Sequence, residues 1–433
     1  MKKLINKYMK GLLPIVAAAT LFASCNKDVQ QFAIPPAAPA ASSLTIDSII
    51  KANPNDSLFY RLILRANASG LNFSNLLKNT AVNNQYTVFA VDNNGMKAFV
   101  NAATRGFIPL SANDTVFARF ISGIGAPTLP VASAAGIVSY NIIPQKYDTA
   151  SIPNVFPNFP VGTSIFPSQA APFLTFRIFP SKRPGILRVN TLPMTTPLNV
   201  QAVNGIIHHV ASIVAPPSAT PGATYLWDRI NTDVTISSGL TYLRAAIIRA
   251  DSASNGGGAA RPGALEAALT NAAANLTVFA PTDTVFRATL TALITQGLIK
   301  QGVDPITAAA QAAFLASTPA VFSNPLLFGT LSATAVRGIL VYHLFSNTAF
   351  TANFPTTPTR YPTLLNTAIA AHPGLELNAT FTGAFASSAT VKGLGNATAA
   401  NIIINGTPAP NGSSDQFYIN GTLHKINQVL LPQ

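Results

Sequence analysis

Charge is scarce in this chain. Asp, Glu, Lys and Arg make up 9% of its 433 residues, and glutamate occurs only at Glu266 and Glu376. A chain so poor in charge and 48% hydrophobic is not a disordered one, which would be more charged and less apolar. The shortage of carboxylates also weighs against enzymes. The Asp residues are scattered, and no Gly-x-Ser-x-Gly, phosphate-cradling Gly loop or His-Glu-x-x-His occurs. Cysteine occurs once, at Cys25. Beyond the first 24 residues no stretch approaches membrane-spanning length without polar residues. The basic residues are dispersed, with Ser181 to Pro184 as their densest cluster, so nucleic acid is not an expected partner. No catalytic residue, cofactor or metal is expected.

What the chain does have is a duplication. One segment reads YTVFAVDNNGMKAF from Tyr86 and closes with VNGIIHHVASIVAP from Val203; another reads LTVFAPTDTVFRAT from Leu276 and closes with INGTLHKINQVLLP from Ile419. The closing motifs align without a gap from Asn204 to Pro216 and from Asn420 to Pro432. Repeats this far apart indicate tandem globular domains rather than a solenoid, and the length suits two cores of roughly 170 to 200 residues.

The N-terminus reads as a targeting segment. Lys2, Lys3, Lys7 and Lys10 precede an apolar run from Gly11 to Phe22, too short for a mature span of about 20 residues. The run ends in LFASC, which resembles a bacterial lipoprotein signal with Phe22 where Leu is usual, and makes Cys25 the expected lipidation site; the alternative is an ordinary secretory peptide whose Cys is incidental. A lipid there explains why an exported chain keeps one unpaired thiol, and more than one acyl chain makes the anchor durable. Without the signal lysines the net charge falls to +9, which favours polyanionic surfaces such as acidic polysaccharide. The expected order is a signal peptide over 1–24, a Pro- and Ala-rich tether over 25–43, a first domain over 44–216, a linker over 217–223 and a second domain over 224–433. Lys27 and Asp28 behind the anchor are a faint surface-export signal.

Each copy has a helical front half and a strand-rich back half, an α+β layout. Leu58, Leu62, Leu76 and Leu77 mark short amphipathic helices. TVFA is a brief strand, followed by Asp92 or Thr282 where a helix N-cap would sit. Phe286, Leu290, Leu293 and Ile294 recur at helical spacing and are expected to face the core. FLTFRIF from Phe173, Ile186 to Val189 and Ile402 to Ile404 read as strands. The insertion from Ser252 and the Ala-rich stretch after Gly302 read as loops or surface helices.

TVFAPTDTVF, then GILVYHLF from Gly338, then NGTLHKINQVLLP resemble the three signature stretches of the fasciclin domain. The first copy keeps the outer two and a blurred middle one, GIVSYNII from Gly136, with Asn141 at the family's His position and Met96 at the position of Phe286. Together the copies cover nearly everything from Ser43 to Pro432. The resemblance implies two tandem fasciclin-like domains, each a wedge-like β-sandwich or barrel with packed helices, and a non-catalytic adhesive role toward proteins or glycans.

Candidate residues follow from the same motifs. Tyr342 and His343 match a Tyr-His pair that the family resemblance links to adhesion; beside an apolar run, such a pair is more often buried and hydrogen-bonded. His208 and His424 occupy equivalent places in the closing strands, as do Asn204 with Gly205 and Asn420 with Gly421. His209, on the opposite strand face from His208, makes a poor metal chelate with it. Asp415 stands at the Asp of an Asp-Ile receptor-binding pair found in animal members, with Gln416 in place of Ile and Asn199–Val200 in the first copy. Asp283 reads most simply as a first-turn acid favouring its helix dipole.

The expectation is a lipid-anchored cell-envelope protein, at the outer membrane and facing outward, that recognises a protein or glycan ligand. The alternative is a non-catalytic accessory component of a periplasmic or polysaccharide-handling complex. The blurred first middle motif suggests the second domain as binder and the first as spacer.

Overall fold

A computed structural model describes residues 43–81, 85–157, 163–168, 171–182, 185–217, 224–252, 263–404 and 412–433. The signal, Cys25, most of the tether, all of the linker except Pro217, and the insertion core at 253–262 lie outside the described residues.

The first half opens with α1 (Ile46–Ala52), α2 (Ser57–Asn67) and α3 (Phe73–Lys78). In α2, Leu58, Phe59, Leu62, Ile63 and Ala66 form one buried face, the i, i+4 stripe that hydrophobic spacing dictates. Strand β1 (Tyr86–Val91) follows, buried along its whole length. Next come α4 (Asn93–Ala103), α5 (Asp114–Ser122) and α6 (Val131–Tyr140). Asp92 caps α4 by accepting from the Gly95 N–H at 2.8 Å, which satisfies an otherwise unpaired first-turn donor. The strand-rich part comprises β2 (Ile142–Ile143), β3 (Thr163–Ser168), β4 (Ala171–Arg177), β5 (Pro180–Lys182), β6 (Leu187–Val189), β7 (Leu192–Ala202) and β8 (Gly205–Val210). Its main sheet has the order β2-β1-β8-β7-β6-β5.

The second half repeats this plan with α7 (Leu226–Thr232), α8 (Thr241–Asp251), α9 (Ala264–Thr270), β9 (Leu276–Pro281), α10 (Asp283–Lys300), α11 (Pro305–Leu315) and α12 (Ala333–Tyr342). Then come β10 (Leu344–Phe345), β11 (Thr359–Tyr361), β12 (Leu375–Thr382), β13 (Phe385–Lys392), β14 (Ala400–Asn401), β15 (Gln416–Tyr418) and β16 (Gly421–Ile426). One sheet runs β10-β9-β16-β15 and the other β11-β12-β13-β14. Bridges from Phe345 to Thr363 and from Ile402 to Ile426 tie the two sheets together near both edges. The result is a partly closed wedge around Phe279, Phe345, Leu377, Val391 and Ile426. A second core lies between the helices and β9/β16, around Leu243, Leu290, Leu340 and Leu423.

Both halves are therefore α+β, and both are built on a parallel central pair whose strands are distant in sequence. Tyr86 pairs with Gly205 in one and Leu276 with Gly421 in the other. Three expectations are refined. Leu293 is 37% exposed while Phe286, Leu290 and Ile294 are buried, because α10 has a solvent edge there. The Ala-rich stretch is the helix α11, started by Asp304 accepting from the Ile306 and Thr307 N–H groups. Of Ile402 to Ile404, only Ile402 bridges a strand.

The halves are packed together within one compact unit from Ser43 to Gln433. Phe156 meets Phe345, Phe354 and Tyr361 with ring centroids 4.8 to 6.1 Å apart. Phe179 meets Phe350 and Phe417 edge-on, a favoured aromatic geometry. Buried Arg188 donates from Nε and Nη2 to the Ala384 carbonyl at 3.1 and 2.6 Å, and burial lowers its pKa to about 10. Ser181 bonds Asn353 at 2.9 Å, and Arg177 donates to the carbonyls of Ala273 and Ala274.

Candidate functional site

The motif residues form the same hydrogen-bonded frame in each half. Asn204 accepts from the Ile46 N–H at 3.0 Å and donates to the Leu77 carbonyl at 2.8 Å. Asn420 accepts from the Leu226 N–H at 3.0 Å and donates to the Leu269 carbonyl at 2.7 Å. Each Asn thus ties the first helix of its half to the closing turn. Gly205 and Gly421 follow at φ +148° and +145°, where a Cβ would overlap the carbonyl oxygen of Tyr86 or Leu276. Only glycine fits this close approach at positive φ.

His208 and His424 are buried beside Phe89 and Phe279 on the neighbouring strand. His208 Nε2 donates to the Tyr147 carbonyl at 2.8 Å, and Nδ1 accepts from the Asn199 N–H at 3.3 Å. His424 does the same with the Ala349 carbonyl at 2.9 Å and the Asp415 N–H at 3.1 Å. Burial lowers both pKa values against the pull of those carbonyls and of Asp148 or Asp415. Each ring is neutral, with its tautomer fixed by one donor and one acceptor.

Asn199 and Asp415 both adopt the left-handed region, at φ +53° and +51°. The Asp415 carboxylate accepts from the Thr351 N–H at 2.7 Å and hydroxyl at 2.5 Å. Asn199 holds Thr149 at the same two points, its Oδ1 accepting from the Thr149 N–H at 3.0 Å and its Nδ2 donating to the Thr149 hydroxyl at 2.5 Å. Both side chains are engaged internally.

Tyr342 and His343 lie at the end of α12 and are 0% and 1% exposed. The Tyr342 hydroxyl donates to the Gly374 carbonyl and accepts from the Leu394 N–H, both at 2.9 Å. His343 Nδ1 donates to the Ile339 carbonyl at 2.8 Å, and Nε2 accepts from the Leu430 N–H at 2.9 Å. Burial pushes the His343 pKa down to about 4. In the first half Asn141 reproduces both bonds, donating to the Ile137 carbonyl at 2.8 Å and accepting from the Val214 N–H at 3.3 Å. An amide has a donor and an acceptor as a neutral imidazole does, so the middle motif is blurred in sequence and intact in geometry.

Asp283 stands in the first turn of α10, as expected, and has a second role. Its carboxylate accepts from the Thr241 hydroxyl at 2.7 Å and the Tyr242 N–H at 2.9 Å, capping the start of α8. Asn93 caps α2 likewise through the Leu58 N–H at 3.0 Å. Thr282 sits at the N-cap of α10 without a side-chain capping bond.

Sequence reasoning missed a buried ion pair and a buried ion triad on the opposite strand face. His209 Nε2 lies 3.1 Å from both Asp56 carboxylate oxygens, and Nδ1 lies 3.0 Å from the Pro197 carbonyl. Both partners can only accept, so both ring nitrogens donate and the ring is an imidazolium. Burial opposes its charge, but Asp56, the Pro197 carbonyl and Asp92 outweigh burial and raise its pKa. At the equivalent strand position, Lys425 Nζ lies 2.6 Å from Asp233, which also holds Arg229 at 2.9 Å. The available signal was the gapless alignment of His209 with Lys425.

No protein-family model and no curated protein matches this chain. Among solved structures, a FAS1 domain pair from the insect cell adhesion molecule fasciclin I aligns over 86% of this chain and 95% of that one, at 13% identity and a TM-score of 0.30. A superposition that loose carries no argument for fold or function.

Proposed function

We infer that this chain is a non-catalytic adhesion or recognition protein of the cell envelope, built from two fasciclin-like repeats and tethered through a lipid on Cys25. The observation that carries this reading is the repeated frame. The recurring polar residues Asn204 and Asn420, and Tyr140 and Tyr342, bond main-chain groups in their own halves. Side chains spent on the scaffold leave recognition to the surface between and beside the motifs. Residues 43–217 hold 12 basic and 5 acidic side chains, against 10 and 8 in residues 224–433. That asymmetry favours the first half as the contact for a polyanionic glycan, and Asn141 gives no ground for treating that half as a mere spacer.

Protease shaving of intact cells carrying a tagged chain, with a periplasmic protein as leakage control, tests the location. Loss of the tag with the control intact supports an outward-facing adhesin. Protection until the outer membrane is opened overturns it in favour of a periplasmic accessory. Binding of the purified chain to acidic polysaccharide, weakened by salt, tests the ligand class; binding equal to that of a neutral glycan counts against it.

A further inference from the structure

The two halves differ at one equivalent cleft. In the first half, α4, α5 and α6 enclose an open cleft of about 720 Å³ whose lining includes Phe99, Phe107, Phe120, Leu129 and Ile137. In the second half the counterpart shrinks to about 40 Å³ and is lined by Thr289, Phe322, Leu331 and Ile339. The correspondence is fixed by shared bonds: Arg65 Nε donates to the Leu129 carbonyl and Arg249 Nε to the Leu331 carbonyl, each at 3.0 Å.

Three differences accompany the narrowing, and one of them, Leu293, lines the second cleft itself. Helix α10 runs for 18 residues where α4 runs for 11. Leu293 stands where the first half has Ala103. Phe328, three residues before Leu331, lies over the Arg249 guanidinium at 3.7 Å, whereas Ala126 stands three residues before Leu129.

The open cleft has the volume of a small-molecule site, about 300 to 1,000 Å³. Its lining is mostly apolar, with Thr104, Thr128 and Ser133 as polar points and no charged side chain. Phe107 stands on its lip, 74% exposed. Two cations border it: Arg65, bonded to the lining residue Leu129, and Arg105, exposed in the turn between Thr104 and Phe107. An apolar slot with cations at its margin and no acid in its lining fits an apolar tail carrying one negative charge.

We propose that the cleft between α4, α5 and α6 binds a single-chain amphiphile with an anionic head, such as a fatty acid, with the tail against Phe99, Phe120 and Ile137 and the head at Arg65 and Arg105. This site is independent of the adhesion reading and stands or falls without it. The test is calorimetric titration of the full chain with dodecanoate below its micellar concentration, with dodecyltrimethylammonium as the charge-reversed control. The expected result is saturable binding with one site per chain, and binding of the cationic amphiphile at least about tenfold weaker. Ala103→Trp, at an exposed position on the cleft wall, should weaken dodecanoate binding about tenfold or more while leaving the circular dichroism unchanged. Arg105→Glu, which leaves the apolar lining intact, should weaken it about fivefold. No saturable binding, equal binding of both amphiphiles, or undiminished binding by Ala103→Trp overturns the proposal.

Discussion

The two halves place a buried cation at the same strand position but choose different ones. The first holds His209 against Asp56; the second holds Lys425 against Asp233, with Arg229 as a third member. His208 and His424 match, but the buried His343 of the second half is Asn141 in the first. The frame requires bond geometry at these places, and several side chains supply it. Charge and titration are therefore free to diverge: His209 makes the first half sensitive to rising pH, while falling pH acts on both halves through His208 and His424 and on the second additionally through His343.

Raising pH weakens the first half. Burial works against the His209 proton, but Asp56, the Pro197 carbonyl and Asp92 lift its pKa above the ordinary 6.5. Its contribution is complete below about pH 6.5 and is lost as pH climbs through the raised folded value. Lowering pH weakens the second half, because the unfolded chain protonates His343 near pH 6.5 while the folded one resists until about pH 4. That difference corresponds to about 3 kcal/mol, lost progressively over the interval.

The largest expected effect tests what the halves share. Gly205→Ala and Gly421→Ala should each cost more than about 4 kcal/mol, read as loss of the folded form in urea titration. A large cost in one half alone would break the equivalence. Next, Lys425→Met removes one of the two cations that Asp233 holds, leaving Arg229 and Thr235, and should cost about 3 kcal/mol or more. His209→Gln should cost most near pH 6 and progressively less toward pH 9. His343→Asn, copying the first half, should remove the His343 share of the acid sensitivity, about 3 kcal/mol, and leave that of His208 and His424, measured as the change in urea midpoint between pH 7 and pH 4. The smallest effect concerns the paired caps: Asp283→Ala and Asn93→Ala should each cost about 1 kcal/mol, seen as faster amide exchange at the starts of α8 and α2.

Much of the frame was legible in sequence because it is written in local signals. The TVFA strands, the N-cap position of Asp92 and the paired Asn-Gly turns depend on residues close together in the chain, and the duplication gave two readings of each. Asp56 and His209 are 153 positions apart, and Lys425 reaches back to Asp233, so their pairing depends on tertiary placement that no local pattern encodes. Asn141 looked like a defect because sequence comparison scores residue identity, whereas the frame needs one donor and one acceptor. The first cleft is open where Ala103 stands in place of Leu293, and small residues announce no cavity until their neighbours are placed.

Hydrogen exchange of the intact chain from pH 4 to pH 9, expressed as protection relative to intrinsic rates, tests the divergence of the two halves most directly. The account predicts that β8 amides around Ile206 to Val210 lose protection as pH rises above 6.5 while β16 amides around Thr422 to Ile426 hold. It predicts the opposite order, with the second half opening first, as pH falls toward 4. Parallel protection in both strands across the whole range would contradict it.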